Sequence, residues 1–265
     1  MLRLAINLSM LFQELPWAER FDAARQAGFD TLEIQFPYHL DRFQLQQTLL
    51  DNKQKLILIN MPAGDLMDGG TGIACQPDAE TAFASAMQQA RQWACLLKVP
   101  RINILSGRAR SDQDRSMLLD CLIRRTRMAA AYFAESGIAT CLETINPWDM
   151  PGFLLSDVET TLACLESLPA ELNVGWQFDF YHLARIGANI PRLLNQHIDR
   201  IHHIQFADHP GRGQPGTGTS ELAAWIRLAE TLGYKGYFSA EYKPQGATTT
   251  TLGWVEEFGE NAAAP

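Results

Sequence analysis

The sequence has no surplus of positive charge, and this limits the partners that the protein can have. Its 22 lysines and arginines are outnumbered by 30 aspartates and glutamates, which gives a formal net charge of −8. A nucleic-acid-binding surface needs a basic face to neutralise phosphates. The composition therefore argues against nucleic acid as a partner, although one or two local cations could still hold a small anionic substrate.

Paired cysteines and long apolar runs are also missing. The five cysteines are an odd number at wide spacings without a C-x-x-C pair, which argues against a disulfide framework or a structural zinc site and favours a reducing compartment. The chain lacks the run of about 18 apolar residues that a membrane-spanning helix needs. The apolar start, residues 1–17, contains Asn7 and Ser9 but no small-residue cleavage site, so we interpret it as a strand and loop rather than a signal peptide. We expect a cytoplasmic protein without a membrane partner.

The chain does contain a regular alternation of short apolar runs with longer amphipathic ones. Eight such strand-helix units in 265 residues predict an α/β fold, a single-domain (β/α)8 barrel over residues 1–260 with a frayed tail at 261–265. A doubly wound open sheet is the alternative. The predicted strands are 2–7, 31–35, 55–60, 101–105, 138–143, 173–179, 200–206 and 236–241. The predicted helices are 16–28, 41–52, 78–97, 111–136, 155–167, 189–198, 219–232 and 249–259.

Small residues mark the predicted helix ends. Gly28, Gly137 and Gly233 stand just past predicted helices, where a left-handed cap is needed. Ser111 and Ser156 stand at the starts of two others and are predicted N-caps.

The last four predicted strands each end with an oxygen-bearing side chain. These are Glu143, Asp179, Gln205 and Glu241, at intervals of 36, 26 and 36 residues, one strand-helix unit each. In a barrel of this kind the strand ends and the following loops form the active site. Three carboxylates and an amide oxygen suit Mg²⁺ or Mn²⁺ better than Zn²⁺. Such a cation would keep the carboxylates ionised and stabilise an enediolate, while Glu143 and Glu241 move a proton between carbons.

Motifs around these strand ends form a specific combination. They are LETINPWD, FDFYH, IQFADHPGRGQPGTG and AEYKP, together with NLSMLF, NMPAGD and GIACQP. Together they resemble the xylose isomerase-like barrels, and within them the hydroxypyruvate isomerases, over about residues 1–255. The resemblance implies a TIM-barrel enzyme that interconverts hydroxypyruvate and tartronate semialdehyde (2-hydroxy-3-oxopropanoate). A close relative in that group acts on 2-oxo-tetronates, but MPAGD, DMPGF and PGRGQPGTG look more like the hydroxypyruvate branch.

The resemblance also implies a metal site with a proton-transfer pair. Related sugar epimerases have histidine where Gln205 stands, and a neutral amide oxygen should bind a transition metal more weakly. The sequence therefore leaves open whether the metal is essential. The implied ligands are Glu143, Asp179, Gln205 and Glu241, of which Glu143 and Glu241 also form the proton donor and acceptor pair.

Four further residues are candidate contacts to a small hydroxy-keto acid. His182 and Asp149 match substrate-contacting positions of the epimerases, although a helix-capping or core histidine is the alternative for His182. Arg212 lies in an R-x-x-P-G-x-G stretch that matches theirs, at a distance from Gln205 that is one residue longer. Arg212 and Lys243 would each bind the substrate carboxylate; a solvated loop cation is the alternative for both.

Other features have less specific interpretations. Only one of two adjacent strand residues faces inward, so His203 rather than His202 should share the face of Gln205 and pack in a layer below it. The glycine-rich loop at 63–72 lacks the P-loop lysine, and we interpret it as a mobile loop that covers the site. Arg108, after the fourth strand, is a weaker candidate for the site.

Three rival functions stay open at this stage. The first is a 2-oxo-tetronate isomerase or a sugar isomerase or epimerase on the same site. The second is a DNA repair endonuclease, which the net charge of −8 and Gln205 oppose. The third is a binding protein that has lost catalysis, although both candidate catalytic glutamates are present. The helices predicted at 78–97 and 111–136 could pack against a second subunit, so a homo-oligomer is also left open.

Overall fold

The short apolar runs of the sequence form eight parallel strands that close into a barrel in chain order. The computed structural model describes residues 2–261. The first strand pairs with both the second and the eighth, which closes the sheet. The strands are β1 (Leu4–Asn7), β2 (Thr31–Glu33), β3 (Lys55–Asn60), β4 (Arg101–Ile104), β5 (Ala139–Glu143), β6 (Val174–Asp179), β7 (Ile201–Phe206) and β8 (Phe238–Ala240).

Helices follow the strands and cover the outside of the barrel. They are α1 (Trp17–Gln26), α2 (Arg42–Asp51), α3 (Glu80–Leu97), α4 (Arg115–Ala134), α5 (Val158–Glu166), α6 (Phe180–Arg185), α7 (Ile190–His197), α8 (Leu222–Thr231) and α9 (Trp254–Asn261). The predicted (β/α)8 barrel is confirmed, and the doubly wound sheet is wrong. None of the helices between residues 2 and 261 has the length and hydropathy needed to cross a membrane. Residues 262–265 of the predicted tail lie outside the described residues, so the domain bounds stay a prediction.

The predicted glycines after the helices are confirmed, whereas the two serines predicted as N-caps are wrong. Asp114, not Ser111, caps α4 by accepting a hydrogen bond from the Ser116 amide at 2.9 Å. Asp157, not Ser156, caps α5, and its carboxylate lies 2.7 Å from the Thr160 amide nitrogen. In both cases the nearby carboxylate accepts from the first helical turn, so each helix begins later than predicted. The predicted left-handed glycines are confirmed at Gly28, Gly137 and Gly233, with φ of 89°, 70° and 97°.

Strand β6 shows how the barrel separates apolar packing from polar chemistry. Trp176 and Phe178 are fully buried and pack edge to face, with ring centroids 4.8 Å apart. The alternate residues Gln177 and Asp179 point to the other face, into the barrel. Because buried polar groups are costly unless they find partners, a polar barrel interior indicates a functional site. The interior polar residues, all buried, are Asn7, Glu33, Asn60, Asn103, Glu143, Gln177, Asp179, His203, Gln205, Ser239 and Glu241.

Helix α6 is absent from the sequence prediction, which placed no helix between residues 168 and 188. Asp179 is both the last residue of β6 and the N-cap of α6. Its Oδ1 accepts from the Tyr181 amide at 2.7 Å and more weakly from the His182 amide at 3.4 Å. The helix therefore starts without an intervening loop and holds His182 within one turn of the strand end.

Candidate active site

A cavity of about 260 Å³ lies at the carboxyl ends of the strands. Of the eight residues proposed from the sequence for the site, Asp179 does not line it but lies behind His182, with 3.6 Å between its Oδ2 and the histidine Nε2. The structure brings the other seven to one cavity, and their roles stay predictions. Those that line the cavity are Glu143, Asp149, His182, Gln205, Arg212, Glu241 and Lys243.

Glu241, directly after β8, is held at both carboxylate oxygens. Its Oε1 accepts from Asn7 Nδ2 at 2.9 Å and from Gln35 Nε2 at 2.7 Å. Its Oε2 accepts from Arg212 Nη2 at 2.8 Å. Burial raises the pKa of Glu241 to about 7, even though the Arg212 charge opposes the change. The carboxyl group is therefore fixed in orientation and able to exchange a proton near neutral pH.

Glu143, at the end of β5, is the other candidate acid-base group. Its Oε2 accepts from Asn103 Nδ2 at 2.8 Å. Burial raises the pKa of Glu143 well above its ordinary value, and the charges of Glu241 and Asp179 raise it further. Because ionisation of one carboxylate disfavours ionisation of the others, these groups titrate as a coupled set.

Asp179 keeps one carboxylate oxygen free of hydrogen bonds. Its Oδ1 is used by the cap of α6, whereas Oδ2 is buried without a hydrogen-bond partner among the described residues. Burial raises the pKa of Asp179, although Arg212, 4.0 Å away, opposes the rise. A buried carboxylate oxygen without a partner requires an explanation, and a bound cation or substrate group is one.

Arg212 is the central cation of the site and stands in the left-handed region at φ 56°. Besides the contact with Glu241, its guanidinium lies 3.9 Å from Asp149 and 5.2 Å from the centre of the Tyr181 ring. Burial alone would lower the pKa of Arg212, but Glu241 and Asp179 raise it above its ordinary value. The guanidinium therefore neutralises part of the carboxylate charge of the site.

Lys243 differs from Arg212 in being exposed at the cavity. Its backbone nitrogen donates to the Arg212 carbonyl at 2.7 Å, which ties the two loops together. Within residues 2–258 no carboxylate forms an ion pair with the Lys243 side chain. The Lys243 ammonium group can therefore reach an anionic ligand.

Asp149 lies at the cavity mouth between two cations. Its carboxylate is 3.6 Å from Arg185 Nε and 3.9 Å from Arg212 Nη1. Arg185 belongs to helix α6, which was not predicted, so no sequence pattern pointed to it. His182, on the same helix, is buried, and burial together with the charges of Arg212 and Arg185 lowers its pKa well below the ordinary value.

Gln205 lines the cavity and forms hydrogen bonds to polar side chains in the layer below it. Its Nε2 donates to Glu33 Oε2 at 2.8 Å, and its Oε1 accepts from Gln177 Nε2 at 2.7 Å. His203, two residues before it on β7, contacts Glu33 through Nε2. The predictions that His203 faces inward and lies below the site are confirmed.

Comparison with known proteins decides the family. The model of the xylose isomerase-like TIM barrels matches residues 21–258. The chain belongs to the xylose isomerase-like TIM-barrel family. The resemblance found in the sequence is thereby confirmed.

Individual members of the family align over nearly the whole chain. Hydroxypyruvate isomerase of Escherichia coli K12 is 35% identical over 97% of this chain and 100% of its own length. The 2-oxo-tetronate isomerase of Haemophilus influenzae is 31% identical over 97% of this chain and 99% of its own length. A crystal structure described as AP endonuclease, family 2 from Brucella melitensis has a TM-score of 0.91 at 30% identity, over 97% of this chain and 99% of that one. With isomerases as its curated relatives, the chain is an enzyme of the isomerase type.

The loop after β3 in this family member supplies Met67 to the cavity. Arg125 on α4 holds the part of this loop that leads into α3. Its guanidinium donates to the carbonyls of Ile73, Gln76 and Pro77. The loop is therefore fixed at the end that leads into α3, and its predicted mobility stays a prediction. Arg108 is not among the residues that line the cavity.

One group of potential metal ligands is present among the described residues. The ligand atoms of Glu143, Asp179 and His182 all lie within 4.8 Å of one another. The set expected from the sequence has Gln205 and Glu241 in place of His182, and it stays a prediction.

Glu33, in the polar layer below the cavity, is the main interior residue that was not predicted from the sequence. Burial would raise the pKa of Glu33, but the partners His203, Gln205 and Ser239 lower it below its ordinary value. A signal was available, because each of the first four strands also carries a polar inward residue at or next to its end. These residues are Asn7, Glu33, Asn60 and Asn103.

Proposed function

We propose that this enzyme interconverts hydroxypyruvate and 2-hydroxy-3-oxopropanoate through an enediolate. The observation that carries the proposal is a pair of buried carboxyl groups, Glu143 and Glu241, whose pKa values are both raised and which line one small cavity. Shifting a carbonyl between neighbouring carbons requires one group to take a proton from carbon and another to return it. The names of the E. coli and H. influenzae relatives support the same reaction class.

The two glutamates would divide the proton transfer between them. Glu241, with a pKa of about 7, is partly ionised at neutral pH and takes the proton from C3 of hydroxypyruvate. Glu143, whose pKa burial raises well above its ordinary value, delivers a proton to C2. The hydroxyl proton moves from the C3 oxygen to the C2 oxygen, which completes the aldehyde. A group that takes a proton and a second group that returns one, held in the same pocket, are what general acid-base catalysis needs.

The cations of the cavity would orient the substrate. Arg212 already contacts three carboxylates, whereas Lys243 is exposed at the cavity without an ion pair among the described side chains. We therefore place the substrate carboxylate against Lys243 and assign Arg212 to the charge that develops near Glu241. Asp149 and His182 would contact the hydroxyl and carbonyl oxygens.

The donor set fits a hard divalent cation. Asp179 Oδ2 is a buried oxygen without a hydrogen bond, and it lies near Glu143. Glu143, Asp179, Gln205 and Glu241 would hold Mg²⁺ or Mn²⁺. When bound, such an ion supplies Lewis-acid polarisation of the substrate carbonyl and lowers the repulsion among the carboxylates.

Two relatives motivate the second candidates. The 2-oxo-tetronate isomerase of H. influenzae aligns over the full domain, and a four-carbon acid would use the same proton shuttle. The Brucella structure described as AP endonuclease, family 2 raises the rival of DNA repair. The net charge of −8 and a cavity of about 260 Å³ favour a small acid over a nucleic acid.

The test is turnover of hydroxypyruvate beside a 2-oxo-tetronate, each with and without EDTA, with cleavage of abasic DNA as a third assay. We expect fast conversion of hydroxypyruvate to 2-hydroxy-3-oxopropanoate, and loss of rate in EDTA if the cation takes part. Faster turnover of the four-carbon acid would move the enzyme to the neighbouring branch. Cleavage of abasic DNA without turnover of either acid would refute the proposal.

A further inference from the structure

Asn146 is a buried residue next to His182, and both the oxygen and the nitrogen of its side chain form hydrogen bonds. It follows β5 by three residues and is fully buried. Its Oδ1 accepts hydrogen bonds from the backbone N–H groups of Trp148 at 3.2 Å and Asp149 at 2.9 Å. Backbone N–H groups can only donate, so the oxygen of the carboxamide must face them. The Nδ2 group is therefore fixed on the opposite side.

The fixed Nδ2 group determines the proton position on His182. It lies 2.7 Å from His182 Nδ1, and the Asn146 backbone nitrogen lies 3.4 Å from the same atom. Both nitrogens of Asn146 are donors, so His182 Nδ1 must accept. A neutral imidazole whose Nδ1 accepts carries its proton on Nε2.

The Nε2–H group of His182 is left available to a ligand. Its nearest carboxylate oxygen, Asp179 Oδ2, is 3.6 Å away, which is longer than a hydrogen bond. His182 lines the cavity, and a ring whose Nδ1 accepts hydrogen bonds is neutral. A neutral Nε2–H donor suits a carbonyl oxygen that gains negative charge in the transition state.

We propose that Asn146 is a positioning residue that holds His182 as a neutral Nε2–H donor aimed at the substrate oxygen. The identity of that oxygen rests on the proposed isomerase function, whereas the tautomer rests on the hydrogen bonds alone. With the proton on Nε2, His182 cannot ligate a metal through that atom, so the carboxylates and Gln205 are left as the ligand set. The same carboxamide holds the turn that carries Asp149, which ties two substrate contacts to one side chain.

The first test reads the tautomer without any substrate. Full-length protein with ¹⁵N-labelled histidine, freed of metal by chelation, is studied by NMR, and the His182→Gln variant identifies the signal. We expect an unprotonated Nδ1 and a protonated Nε2. In Asn146→Asp the side chain keeps an oxygen for the Trp148 and Asp149 amides but loses the donor, so the proton should move to Nδ1. A wild-type spectrum with a proton on Nδ1 would overturn the proposal.

The second test asks whether Asn146 acts through His182. We expect Asn146→Asp to lower kcat on hydroxypyruvate about 10²-fold, the size of losing one oxyanion donor, with KM changed less than about threefold. In a His182→Gln background the same substitution should cost little more. Asn189→Asp is the matched control, because Asn189 is an exposed N-cap whose Oδ1 accepts from the Arg192 amide at 3.0 Å, and it should leave kcat unchanged.

The outcomes separate the two proposals. Equal losses from Asn146→Asp in both backgrounds would show that Asn146 does not act through His182. If the wild type turns over neither hydroxypyruvate nor a 2-oxo-tetronate, the proposed function fails, and the NMR experiment still decides the tautomer.

Discussion

Carboxylates are buried at two levels of the same barrel, and their pKa values move in opposite directions at the two levels. Glu33, in the layer below the cavity, accepts hydrogen bonds from Asn7 and Gln205 and contacts His203, and its pKa is lowered. At the cavity, the pKa values of Glu143 and Glu241 are raised. Burial raises the pKa of all of them. For Glu33 the contact with His203 and the hydrogen bonds outweigh burial, whereas neighbouring carboxylates raise the pKa values of Glu143 and Glu241 further.

The comparison separates stability from reactivity within one polar interior. In the lower layer, the partners of Glu33 compensate for the cost of burying its charge, so the ionised carboxylate stabilises the folded state. The upper layer has three carboxylates, Glu143, Asp179 and Glu241, that share one cation, Arg212, whose charge opposes the rise in the pKa of each. Its ionised form is unfavourable in the folded protein, which suits groups that must gain and lose protons or hold a metal.

The largest expected effect is on turnover. Glu241→Gln removes the proposed base but keeps the size of the side chain, and we expect kcat on hydroxypyruvate to fall about 10²- to 10⁴-fold. Steady-state kinetics measure the loss, and circular dichroism should show an unchanged fold. Glu135→Gln, at an exposed position outside the barrel, is the control and should keep wild-type activity. Wild-type turnover in Glu241→Gln would remove this residue from the proton transfer.

The next effect is on stability and concerns the lower layer. Glu33→Gln leaves His203 without its carboxylate, and breaking a buried pair of this kind costs about 3–5 kcal/mol of unfolding free energy. Urea denaturation measures the change. The exposed pair of Arg91 and Glu135, 2.9 Å apart, supplies the control, because Glu135→Gln should change the midpoint little. Equal urea midpoints for Glu33→Gln and Glu135→Gln would contradict the stabilising role of the Glu33 carboxylate.

Glu143→Gln should act with the opposite sign. Removing a carboxylate whose ionised form is unfavourable should stabilise the metal-free protein by about 1 kcal/mol, while activity falls. Urea denaturation in the presence of a chelator measures the gain. A loss of stability comparable to that of Glu33→Gln would show that the two layers do not differ as described.

The smallest effect is the pH dependence of stability, and its sign differs between the layers. The folded pKa of Glu33 lies below its ordinary value of 4.5, so its contribution is present above about that pH and is lost as the pH falls through the folded pKa. The folded pKa of Glu241 is about 7, against an ordinary 4.5, so its contribution is present below about 4.5 and is lost as the pH rises through about 7. Urea midpoints of chelated protein should therefore decline on both sides, and Glu241→Gln should flatten the alkaline side. An unchanged alkaline decline in that variant would assign it to another group.

The barrel and most of the cavity could be predicted because both follow from spacing. Strand ends one unit apart meet at one rim in a barrel, and this placed Glu143, Gln205 and Glu241 together without any alignment. The motifs then pointed to Asp149 and Arg212, which the structure brings to the same cavity.

The remainder depends on contacts that spacing does not encode. Glu33 and His203 are 170 positions apart and meet only through the register of the closed barrel. Helix α6 is six residues long, too short for an apolar period to be recognised, and Arg185 was missed with it. The role of Asn146 requires knowing which ends of its carboxamide are already bonded.

The junction at Asp179 has a consequence for how such an enzyme can diverge. One residue ends β6, caps α6 through Oδ1 and keeps Oδ2 free of hydrogen bonds 3.6 Å from His182 Nε2, so a residue inserted after it would move His182 away from that oxygen. The segments 61–79 and 207–221 are far longer connections and carry Met67 and Arg212 to the cavity. Evolutionary change in substrate range should therefore accumulate as length variation in those two segments, while the β6–α6 junction keeps its length.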